Sequence, residues 1–226
     1  MNSYNPIPGI ELSNEQINPT IKSPNSVYEI SFWQTRDSLL DVEVYKSFID
    51  NCVQRFRHSQ TYTHYKGRLI DLGLDRCQFH GNITIEMATI EMHHAIINIK
   101  EICLMIVEHL LNTVGYVCSY DVVQILKEEH KANRIPLVML AKTPHQLNHS
   151  DLEFFIPYTM CFGKWWELLE KYHTGITQDL AFKLLFYFKK NIENNGKADD
   201  AGLLELRNKV LDWSGLNECN VDKYIG

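Results

Sequence analysis

With 226 residues, the chain is long enough for one compact domain with attachments or for two small domains. Hydrophobic residues make up 45% and charged residues 22%, the balance of an ordinary soluble globular protein. The net charge of -6 excludes a surface coated in basic residues, while leaving room for a local basic face.

The longest apolar run, around 102–107, falls far short of the roughly 20 residues that span a bilayer. The N-terminal MNSYNPIPGIELSNEQ has neither the basic start nor the apolar centre of a secretory signal. Both features predict an intracellular protein that does not engage a membrane. Cys52, Cys77, Cys103, Cys118, Cys161 and Cys219 are widely spaced and form no CxxC pair, so neither a zinc knuckle nor a disulfide framework is expected.

Residues 1–40 read as an extended arm, with Pro6, Pro8, Pro19 and Pro24 set among Asn and Ser. A first helix is predicted over 41–58, where Val42, Tyr45, Phe48, Ile49, Cys52, Val53 and Phe56 recur at helical spacing behind Asp41 as N-cap. A second runs over 61–72 and stops at Gly73. These two helices make up a segment 41–76 that carries Arg55, Arg57, Lys66 and Arg68, interleaved with Tyr62 and Tyr65. A solvated face is the ordinary reading of such a cluster, and phosphate contact with base stacking is the functional one.

Residues 77–93 turn β-compatible, with a strand expected at 88–93. Residues 99–114 are strongly helical and end at Gly115. A further helix is expected from Ser119, read as its N-cap, through YDVVQILKEEHKAN. Pro136 then favours extended backbone before it, and LVMLA at 137–141 reads as a short buried strand. In KTPHQLNH, Thr143 as N-cap and Pro144 at the first helical position signal a new helix, which puts His145 and His149 one turn apart on one face. Helices at 164–173, 177–193 and 199–213 complete the chain. Trp165 and Trp166 head the first of these, one of them expected in the core.

Two pieces carry chemistry together. IEMHH at 90–94 ends a strand in adjacent histidines, and PLVMLAKTPHQLNH at 136–149 supplies strand, turn and an H-x-x-x-H helix. Helical histidines four apart can chelate one ion, and a strand-borne third ligand leaves open positions for water and phosphate. Neighbouring strand residues face opposite ways, which suits one ligand and one base better than two ligands.

This arrangement resembles the HNH, or ββα-metal, endonuclease family, most closely its histidine-rich branch, and is similar to HNH-like proteins encoded by phages. The resemblance covers about 60 residues. It implies an α+β fold, mostly helical, with an HNH-like core at 77–155, a two-helix insertion at 95–135 within its hairpin, and a helical C-terminal region at 156–226. It also implies metal-dependent hydrolysis of DNA in the bacterial cytoplasm. His93, His145 and His149 would hold one divalent ion (Zn, Mn, Ni, Co or Mg), and His94 would be the general base. The division between His93 and His94 follows motif order alone.

Many HNH sites carry an Asn at the start of the second strand, where this chain has Pro136. Asn133 is the candidate substitute, counted with His94 in the catalytic set. Lys131, Arg134 and Lys142 join Arg55, Arg57, Lys66 and Arg68 as expected DNA contacts. The helical extensions are open to self-association or to a phage or host protein. His58, His80, His109, His130 and His173 are read as non-catalytic, His130 being the one that could approach the site. Two other readings stay open: a catalytically silent HNH-like binding module, and a structural metal site that staples the hairpin.

Overall fold

A computed structural model describes residues 20–22, 29–31, 33–142, 155–195 and 201–217. Thr20–Lys22 (β1) and Glu29–Ser31 (β2) form an antiparallel pair. Gln34–Thr35 (β3) pairs with Tyr116–Val117 (β5), so the described end of the expected arm is tied into the body of the protein. Trp33 is buried there, edge-on to Tyr116 at 5.5 Å.

Helix α1 (Val42–Arg57) starts as predicted. One Asp41 carboxylate oxygen accepts from the N–H groups of Glu43 and Val44, at 2.8 and 3.0 Å. Ile49, Cys52, Val53 and Phe56 turn inward. Helix α2 (Gln60–Asp71) follows after one tight turn, capped by Ser59. It ends in a Schellman motif: Leu74 N–H bonds Leu69 C=O and Gly73 N–H bonds Ile70 C=O, with Gly73 at φ +90°.

The histidine strand is Ile90–His94 (β4), shifted slightly from 88–93 so that both histidines lie within it. It pairs antiparallel with Leu137–Ala141 (β6), in a register running from Ile90 opposite Ala141 to His94 opposite Leu137. Pro136 extends the ladder through its carbonyl, which accepts from Ala95 N–H at 3.1 Å. A proline lacks only the donor, so the first position of a strand tolerates it.

The other edge of β6 is covered too. Gln78 N–H bonds the carbonyl of Met139, and the Gln78 side chain accepts from Met139 N–H. Leu137 and Phe162 exchange backbone hydrogen bonds. All five residues of β6 are buried, which is why its sequence is an unbroken apolar run.

Between the two strands lie α3 (Ile99–Thr113) and α4 (Ser119–Lys131), the predicted two-helix insertion. A capping box opens α3, joining Asn98 and Glu101. This helix is the centre of the core, with Ile102, Cys103, Met105, Ile106 and Val107 wholly inaccessible to solvent. At the start of α4 the capping residue is Cys118 rather than Ser119. The Cys118 thiol accepts from Asp121 N–H, and Ser119 is the first helical residue. Helices α5 (Trp165–Lys171), α6 (Gln178–Asn195) and α7 (Ala201–Ser214) stand close to the ranges read from sequence.

The protein is therefore α+β and mostly helical, and one apolar core runs from Leu39 to Val210. No helix among the described residues is long and apolar enough to cross a membrane.

Candidate functional site

The hairpin end that carries His94 is walled by helices. Arg57 closes α1, while Tyr62 and Lys66 come from the first turns of α2. Together with Glu91, Met92, His93, His94, Asn98 and Ile99 they line a cleft of about 530 Å³. His93 and His94 are 7% and 8% exposed, deep for imidazoles. The chain must leave β4 sharply here to enter α3. Ile96 takes φ +67° to do so, a strained conformation for a β-branched residue. Asn98 and Ile99, the first residues of the helical entry, then complete the rim of the cleft.

His94 makes a contact that the sequence reading leaves unassigned. Its Nε2 lies 3.2 Å from Nε2 of His130, which is fully buried in α4. His130 in turn uses Nδ1 to reach the carbonyl of Leu126 at 2.7 Å. Aromatic rings hold both imidazoles. Tyr62 lies parallel to His94, with centroids 6.4 Å apart. Phe56 packs at 4.5 Å from His130, and Tyr65 stands edge-on to it at 5.3 Å. Burial, followed by the neighbouring His130, Arg57 and His93, holds the His94 pKa well below the ordinary histidine value. Burial also takes His130 down to about 4. Both rings are therefore neutral at physiological pH.

Asn133 does not reach His94 by a hydrogen bond. It sits at φ +54° just past α4 and closes a Schellman motif, its N–H on the carbonyl of His130 and that of Arg134 on Glu129. Asn is among the few residues that accept this left-handed position. Its side-chain oxygen accepts from the Tyr65 hydroxyl at 3.0 Å, so it meets the imidazole pair through the Tyr65 ring.

The expected DNA contacts divide. Arg57 and Lys66 border the cleft. Arg55 and Arg68 reach across to the insertion instead, to Ser119 Oγ at 3.4 Å and to the carbonyl of Lys131 at 3.3 Å. Lys131 is exposed at the end of α4. Arg134 is bound to the buried carboxylate of Glu129, which Lys171 and Tyr172 also contact at 2.7 Å. Lys142 is exposed immediately after β6, at the Ile90 end of the hairpin and away from His94.

Of the three expected metal ligands, His93 lies in the cleft, whereas His145 and His149 fall outside the described residues, as do Thr143 and Pro144. Among the described residues, no three His, Cys, Asp or Glu side chains come together as an ion site. Three neutral imidazoles would form a borderline donor set, suited to zinc and its transition-metal neighbours more than to magnesium.

A family model described as bacteriophage G278-like virion protein matches residues 7–216. Neither a curated protein nor a solved structure matches the chain.

Proposed function

The chain belongs to the bacteriophage G278-like virion protein family, and from that premise we propose that it is a particle-associated endonuclease of the HNH type that hydrolyses DNA with one divalent metal ion. The observation that carries this reading is the buried His94 at the end of a hairpin strand, beside Arg57 and Lys66 in one cleft. His94 takes a proton from water as that water attacks phosphorus. The P–O3′ bond then breaks, and the departing oxygen is protonated by solvent. Arg57 and Lys66 would hold the phosphate, and Tyr62 would offer an aromatic face beside it. His93, His145 and His149 would hold the metal, whose chemistry is to stabilise charge on the leaving oxygen.

The test uses pure full-length protein stripped with chelator, supercoiled plasmid and a panel of Mg, Mn, Ni, Co and Zn. Nicking or linearisation is expected, with a loss of about 100-fold or more in His94→Ala, the scale of a general base. A folded His94→Ala that cuts as well as wild type would defeat the assignment.

A second reading is a catalytically silent component of the phage particle that binds nucleic acid through the same cleft. It is favoured by Asn133, which holds Tyr65 rather than the candidate base. Salt-sensitive DNA binding without cleavage in any metal would support it.

A further inference from the structure

A carbonyl oxygen only accepts hydrogen bonds, so the 2.7 Å contact between His130 and Leu126 places a proton on His130 Nδ1. A neutral imidazole carries one N–H, which leaves His130 Nε2 as a lone pair. That lone pair faces His94 Nε2 at 3.2 Å. Two lone pairs cannot share that distance favourably, so His94 Nε2 must be the donor. The single proton of His94 is thereby assigned, and its Nδ1 carries the lone pair. Among the described residues no hydrogen bond reaches that nitrogen.

We infer that His130 is a positioning residue, which fixes His94 as an Nε2–H tautomer so that Nδ1 is the nitrogen that takes the proton from water. The chemistry in this inference rests on the nuclease reading above. The tautomer assignment rests on the hydrogen bonds alone. When Nδ1 accepts the proton, Nε2–H stays on the His130 lone pair, so the imidazolium that forms already has an acceptor. Phe56, Tyr62 and Tyr65 keep the two ring planes from rotating out of this relation. The contact joins residues 36 apart in sequence, and it gives the buried histidine of α4 a purpose beyond filling space. The Leu126 carbonyl sets the orientation of the whole chain of bonds, and it is held in place as part of α4.

The experiment is a long-range proton–nitrogen correlation spectrum of full-length, chelator-stripped protein labelled with ¹⁵N-histidine, at neutral pH. His130 is expected protonated at Nδ1 and His94 at Nε2, with scalar coupling between the two Nε2 atoms across the hydrogen bond. A His130 proton on Nε2, or a His94 proton on Nδ1, overturns the inference. Two variants add a kinetic arm. His130→Leu removes the acceptor, and plasmid nicking should fall by about 10–100-fold, as for loss of an orienting partner. His130→Gln offers an amide oxygen in place of the ring nitrogen and should restore most of the rate. A folded His130→Leu protein that nicks at the wild-type rate also overturns the inference. If the spectrum is as expected but wild type cuts no DNA, the nuclease reading fails and the tautomer assignment stands.

Discussion

At the scale of single residues, His130 should set an acid limit on stability. Its folded pKa of about 4 lies below the ordinary value of 6.5. Above 6.5 the ring is neutral in both folded and unfolded chains, so its contribution to stability is constant. As pH falls through 6.5 the unfolded chain binds a proton that the folded chain refuses, and stability declines until about 4. The loss is about 3 kcal/mol. Urea titrations between neutral pH and the acid end should show this decline, and His130→Gln should flatten part of it. An unchanged slope in that variant would mean that the ring is not kept neutral by burial. The histidine pair of β4 was legible in the sequence because it is contiguous and sits in a two-part pattern. Its partner His130 is legible only as the other histidine that could approach the site, with no role, because nothing local marks which residue becomes adjacent when α4 crosses the strand end. Asn133 carried a readable signal for its capping role: it follows a helical run and precedes a proline by three residues.

At the scale of elements, boundaries followed their local chemistry closely. Asp41 and Gly73 acted as the start and stop residues their types suggest. Ser119 did not, because Cys118 stands one position earlier with extended backbone and takes the cap. Glycines separate into those that packing requires and those it does not. A Cβ on Gly175 would sit 1.9 Å from the Met105 carbonyl oxygen, where the turn before α6 crosses α3. Gly67, inside α2, has open space around it. Gly175→Ala should therefore destabilise by about 3 kcal/mol, the upper range for overpacking. Gly67→Ala should stabilise by about 0.5–1 kcal/mol through helix propensity. Thermal melts of the two variants check both signs, and equal shifts would contradict the packing described here. Neither distinction is visible in the sequence, where Gly67 lies between Lys66 and Arg68 and Gly175 between Thr174 and Ile176, and neither setting shows what a Cβ would meet.

At the scale of the whole molecule, the segments read as arm, helical segment, HNH-like core and helical tail all contribute to one large apolar cluster, beside a small second one of Trp33, Tyr116 and Cys118. The large cluster holds residues from Leu39 to Val210. The carboxylate of Glu129 adds a polar link between α4 and α5, bound by Arg134, Lys171 and the Tyr172 hydroxyl. Unfolding should therefore be a single transition, with tryptophan fluorescence and far-ultraviolet dichroism coincident. Two separated transitions would show that the C-terminal helices fold on their own. The sequence by itself determined the helices, the β4 and β6 segments and the adjacency of His93 and His94, because periodicity, caps and adjacency are local properties of the chain, while the pairing of the two strands was what the HNH resemblance implied. Only the tertiary structure decided which basic residues border the cleft, that Arg134 belongs to Glu129, and that a histidine from the insertion meets the candidate base. Those outcomes depend on how helices cross and what they bury, and burial energy is shared among residues far apart in the sequence.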